Sequence, residues 1–287
     1  MAPPERAGRD LSGKVALVSG VARAHGLGRV TALRLARAGA TVIGADLVDD
    51  AGDDTATVTR ADFDRVMAEI TAAATAAGTS AMAIPQLQHG PQLWGELVTA
   101  TVEQAGRLDI CCSLNGVTGP AAGDGLLLDV TASAWQRAVD INLTAGFLLV
   151  TAAARAMIAG GWAGSIVQLS TSATRTAKPY AGAVGATRSA VEFLIETLAQ
   201  EVGEYGIRCN AVAPLGIAST SGHGNPGLER LAAREGGGDV DDWIRRTVPL
   251  GRLQNADETA ACIEFLCSDE ASFVSGVTLP VMGGANR

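Results

Sequence analysis

The sequence predicts an α/β fold, a mostly parallel sheet with helices on both faces, from two observations. Seven short apolar runs alternate with Ala-rich stretches of helical period, and a glycine turn directly follows the first run. The runs are Val15–Ser19, Thr41–Ala45, Ala81–Ile84, Leu108–Ser113, Ser165–Leu169, Arg208–Val212 and Val277–Val281. Each is short enough for a strand, and the helical stretches between them make βαβ crossovers. Over 186–203, Val191, Leu194, Ile195, Leu198 and Val202 keep one helical face apolar. No linker or internal repeat divides the chain, so residues 1–287 read as one domain behind a short tail, 1–12.

Composition narrows the function. Of 287 residues, 47% are hydrophobic but only 4% aromatic, and glycine occurs 35 times, so Ala, Val, Leu and Ile must build the core. Lys and Arg number 22 against 30 Asp and Glu, a net charge of −8 that lacks the basic footprint of a nucleic-acid binder. The same balance disfavours a basic membrane-surface helix, and the apolar runs read as too short to span a bilayer. Residues 1–13 show no signal peptide. Five cysteines without a CxxC pair fit reduced thiols in a cytoplasmic protein. The histidines His25, His89 and His223 have no metal-ligand spacing, and no GxSxG elbow is present.

Two segments stand outside the alternation. Residues 46–61 form an acidic insertion after the second strand. Residues 215–240, with seven glycines and one proline beyond a strand's C-terminal end, read as a substrate-lid region.

The first strand runs into Ser19-Gly20-Val21-Ala22-Arg23-Ala24-His25-Gly26-Leu27-Gly28 and then a helix. Glycines here let the backbone approach a pyrophosphate seated on the helix N-terminus. Asp46 ends the next strand, 26 residues after Gly20. An acid there bonds a ribose 2′-hydroxyl and repels a 2′-phosphate, which favours NAD; Arg23 weakens the preference.

From about residue 11 to 285 the chain resembles the short-chain dehydrogenase/reductase family. The resemblance rests on LSGKVALVSG, Asp140-Ile141-Asn142-Leu143, NAVAP (210–214), PLGR (249–252) and FLCSDEASFVSGVTLPVMGG, in the family's order. The acidic insertion is similar to that of the carveol-dehydrogenase-like branch. The resemblance implies a seven-stranded, doubly wound Rossmann-type sheet, a dinucleotide at its switch point, and an oligomer. It places the cofactor against Gly20, Arg23, Gly26, Leu27, Gly28, Asp46, Asn115, Gly116, Arg188 and Pro214.

The family's chemistry uses a Tyr proton donor in Y-x-x-x-K, a Ser or Thr that orients the carbonyl, and an Asn in a water relay. Asn142 matches the relay position, and Thr171 with Ser172 stands where the hydroxyl belongs. Counting back without a gap from Asn210, the Tyr position falls on Val184 and the Lys position on Arg188. Valine has no proton to give, and arginine keeps the charge in a planar fork that could still grip a ribose hydroxyl. The cofactor pocket also departs from the family pattern. Asn115 replaces a small residue, IPQLQHG (84–90) lacks the usual acid, the glycine turn is two residues longer, and the terminal acid is Met282.

These departures predict a degenerate site: a silent subunit paired with an active relative, or a pocket turned to non-redox chemistry, with NAD binding weakened or lost. The alternative is an NAD-dependent oxidoreductase for an alcohol or ketone, with Tyr180, four residues before Val184, as substitute acid. Assembly is expected with copies of the chain or with that relative, and the small-molecule substrate is not specified by any sequence pattern.

Overall fold

The computed structural model describes residues 9–48, 58–86, 91–216, 232–235 and 239–285. Most of the acidic insertion and of the 215–240 region, the tail before residue 9, His89 and His223 lie outside the described residues.

Seven strands form one parallel sheet: β1 (Val15–Ser19), β2 (Thr41–Leu47), β3 (Ala81–Gln86), β4 (Ile110–Ser113), β5 (Gly164–Leu169), β6 (Ile207–Pro214) and β7 (Thr278–Val281). Each lies within two residues of its sequence-derived bounds, because continuous apolar runs mark strands covered on both faces. Their order is β3-β2-β1-β4-β5-β6-β7, and every neighbouring pair is parallel. The order reverses between β1 and β4, opening a crevice at their C-terminal ends.

Helices α1 (Leu27–Arg37), α2 (Arg60–Ala76) and α8 (Ala256–Cys267) cover one face. Their side chains Leu35, Phe63, Ile70 and Ile263 meet Val18, Val42 and Val167 of the sheet. On the other face lie α3 (Pro91–Ala105), α5 (Ala145–Gly160) and α6 (Gly182–Val202), which pack Leu97, Leu149, Met157 and Ile195 against Leu17, Ile43 and Ile166. A further helix, α7 (Val240–Thr247), sits beyond the end of β6, with Trp243 and Ile244 buried. It begins at Asp239, whose carboxylate accepts the amides of Asp241 and Asp242.

Helix α4 (Ala132–Val139) continues through a π-helical turn, Asp140–Thr144, into α5. The unbroken helix Ala132–Gly160 is long and apolar enough to cross a membrane, by length and composition only. This differs from the apolar-run expectation, because the scattered polar residues of α4 and the π turn interrupt the apolar run but not the helix. Its inward side chains Leu149, Val150, Ala153, Ala154 and Met157 are instead part of the core. The π turn swings Asn142 inward, where it is buried.

Candidate active site

Two cavities adjoin at the C-terminal edge of the sheet. The first, about 230 Å³, is the crevice between β1 and β4. Every residue expected to hold a dinucleotide borders it, from Gly20 and Asp46 on one side to Arg188 and Pro214 on the other. The second, about 180 Å³, is bordered by Thr171, Ser172, Tyr180 and Trp243. Thr118, Thr171 and Val184 line both. A larger hollow of about 510 Å³ lies at the opposite edge, beside Lys14, Asp109 and Arg208, and none of the expected site residues borders it.

The glycine turn is built by close approach. Gly20 has φ +78°, and a Cβ on Gly28 would overlap the Gly20 carbonyl oxygen, so α1 can pack this tightly on β1 only without that side chain. Gly26, at the N-cap of α1, offers no side-chain cap, and the first turn holds no acid. The first amides of α1 are therefore left for an anion. Asp46 is buried at the end of β2 and accepts the amides of Ala22 (2.7 Å) and Leu47 (2.8 Å). Burial pushes its carboxyl above the ordinary carboxylate range, against the lowering effect of those two amides and of the Arg23 charge. Asn115 Oδ1, also at this crevice, is buried without a hydrogen-bond partner.

Arg188 is buried in α6, and its terminal nitrogens donate to the Leu169 carbonyl at 2.7 Å, the Asn115 carbonyl at 2.8 Å, and both the carbonyl and Oδ1 of Asn142 at 3.3 Å. Its terminal nitrogens are thus committed to the ends of β4 and β5 and to the π turn, while the side chain borders the crevice. Desolvation lowers its pKa to about 10, which leaves it protonated near neutral pH. A Cβ on Gly116 would overlap Arg188 Nη2, so the guanidinium in this position needs glycine at 116. Gly116→Ala should therefore cost about 1–3 kcal/mol in denaturant unfolding. The cost should shrink in an Arg188→Lys background; equal costs in both backgrounds would contradict the coupling.

Asn142 spends its amide on Val117, accepting from the backbone N–H at 2.8 Å and donating to the carbonyl at 3.1 Å. Ser170 turns away to donate to Glu192, which leaves Thr171 and Ser172 at the second cavity. Tyr180 is the one non-glycine residue with positive φ (+70°) among the described residues. The Arg234 guanidinium lies 5.8 Å from its ring centre.

The family described as enoyl-(acyl carrier protein) reductase matches residues 20–286. A trans-4-hydroxycyclohexanecarboxylate dehydrogenase of Sinomonas cyclohexanicum is 34% identical over 94% of this chain and 92% of its own length. The chain belongs to the short-chain dehydrogenase/reductase family. Within that family, a (3R)-3-hydroxyacyl-CoA dehydrogenase of Mus musculus is 28% identical over 96% of both chains. The crystal structure of a carveol dehydrogenase from Mycobacterium avium in complex with NAD superposes with a TM-score of 0.82, at 31% identity, covering 96% of this chain and 98% of that one.

These findings overturn the expectation of a silent subunit or a non-redox pocket. Relatives matched over nearly their whole length are dehydrogenases, and the oxidoreductase alternative fits better. Val184 and Arg188 show what one helix carries, not what the whole cavity carries. An ungapped register tells which residue stands at a helix position, not which side chains the preceding loop brings to the same cavity. Sequence reasoning missed Trp243 and Asp124 as lining residues, since neither stands in a motif.

Proposed function

We propose that this short-chain dehydrogenase/reductase is an NAD-dependent oxidoreductase that interconverts a small alcohol and its ketone, with Tyr180 as proton donor. One observation carries the reading: Tyr180 shares with Thr171 and Ser172 a cavity that adjoins the glycine-turn crevice. The phenol and the Ser172 hydroxyl have no hydrogen-bond partner among the described residues, so both are available to a substrate oxygen. The dehydrogenase relatives and the NAD-bound neighbour support the same reading.

The crevice fits a dinucleotide. Uncapped amides at α1 would meet the pyrophosphate, Asn115 Oδ1 offers a buried acceptor, and the carboxylate of Asp46 favours a free 2′-hydroxyl over a phosphate. The cofactor, when bound, supplies or accepts the hydride. Thr171 and Ser172 orient the carbonyl oxygen, and Tyr180 gives it a proton in reduction and takes one back in oxidation. Arg188 holds the floor between the two cavities by tying β4, β5 and the π turn together. Calorimetric titration with NADH, followed by absorbance assays over a panel of ketones, tests the reading. Saturable binding with turnover supports it; tight binding with no turnover on any ketone would count against it.

A further inference from the structure

The second cavity carries information on substrate charge, and the inference rests on the oxidoreductase reading above. Among the described residues, only two lining side chains are charged, Lys178 and Asp124. Each already has a partner. Lys178 Nζ pairs with Glu235 Oε1 at 3.8 Å, and Asp124 Oδ2 accepts the Gly119 amide at 2.7 Å. The other oxygen of Glu235 accepts Trp243 Nε1–H at 2.9 Å. One carboxylate thus sits against the cavity's lysine and accepts a hydrogen bond from its aromatic wall. Arg234 lies over the Tyr180 ring and does not itself line the cavity. The rest of the lining is apolar or hydroxylic, with Val184, Leu215, Pro179 and Trp243 alongside the hydroxyls of Thr171, Ser172 and Tyr180.

We propose that the site takes an uncharged, largely apolar alcohol or ketone, and that Glu235 is the specificity-determining residue that excludes carboxylate-bearing substrates. Among the described lining residues, a carboxylate brought into this cavity loses water and meets no cation that lacks a carboxylate partner, and it meets Asp124 besides. A neutral ring or branched chain loses nothing comparable on Val184 and Trp243, and its single oxygen meets the hydroxyl corner. Glu235 does not line the cavity itself; it acts through Lys178 and Trp243.

The test compares 4-methylcyclohexanone with 4-oxocyclohexanecarboxylate, similar in shape and different in charge, using NADH-loaded protein. Wild type should favour the neutral ketone in kcat/KM by about a hundredfold, the cost of a desolvated, unpaired carboxylate. Glu235→Gln keeps an acceptor for Trp243 and releases Lys178, so the preference should narrow about tenfold through a lower KM for the carboxylate. Adding Lys178→Met to Glu235→Gln should restore the wild-type preference, which a merely structural role of Glu235 would not do. Equal or better use of the carboxylate by wild type, or a ratio unmoved in Glu235→Gln, overturns the proposal. If neither ketone is reduced, the oxidoreductase reading fails. Saturation-transfer NMR of the same two ketones then still decides this one: tighter neutral binding upholds it, tighter carboxylate binding overturns it.

Discussion

Tyr180→Phe should lower kcat for ketone reduction by about 10²–10⁴ while leaving NADH affinity within a factor of about two. The protons available around the second cavity set this expectation. Asp124 is committed to the Gly119 amide and Lys178 to Glu235, and Val184 has none. The hydroxyls of Thr171 and Ser172 are far weaker acids than a phenol, which leaves Tyr180. Its backbone supports the assignment. A non-glycine residue in the left-handed region costs about 1–2 kcal/mol, and here the surroundings hold it there: the Tyr180 carbonyl accepts the Gly125 amide at 3.3 Å and Arg234 covers the ring. Phenylalanine keeps the ring and its contact with Arg234, so loss of the hydroxyl alone is read. The fall should appear in kcat, with KM little changed, because the proton moves in the reacting complex. Undiminished kcat in Tyr180→Phe would remove Tyr180 from the chemistry.

Arg188→Met should destabilise the fold by about 2–4 kcal/mol, a figure set by two opposing effects. Burying a guanidinium with no carboxylate beside it is costly, as its lowered pKa indicates, and methionine would recover that cost. Against this, the carbonyls of Asn115, Leu169 and Asn142 would each lose a charged donor, at about 1–3 kcal/mol apiece when left unpaired. Three carbonyls outweigh one desolvated cation. Urea unfolding of the two proteins measures the difference, and a loss below about 0.5 kcal/mol would show that Arg188 does not clamp the cleft. Arg188→Lys should fall between them, because a single ammonium cannot span the ends of β4 and β5 and the π turn together.

The sheet was legible in the sequence because its strands are buried on both faces and therefore stand out as continuous apolar runs between helical ones. The nucleotide crevice was legible for a related reason. A glycine turn, a following helix and an acid ending the second strand are local in sequence, and the parallel register brings Gly20, Asp46 and Asn115 together. The continuous helix Ala132–Gly160 was not legible, since the polar residues of α4 and the π turn break the apolar run without breaking the helix. Nor was the second cavity. Lys178 is distant in sequence from Glu235 and Trp243, the three belong to no pattern, and only the fold shows that one carboxylate joins the other two. The commitment of Arg188 to three carbonyls was hidden in the same way. From sequence it is a charge at a lysine's position; in the fold it is a cross-link that needs Gly116 beneath it.

The most direct test of the central claim, that this cleft performs hydride chemistry without a tyrosine at position 184, is transfer of label from NADH deuterated at C4 to 4-methylcyclohexanone. Mass spectrometry of the product should find one deuterium in the alcohol, from only one of the two C4-labelled diastereomers, because a single bound geometry presents one face. Absence of labelled alcohol from either diastereomer, with NADH bound, would contradict the account.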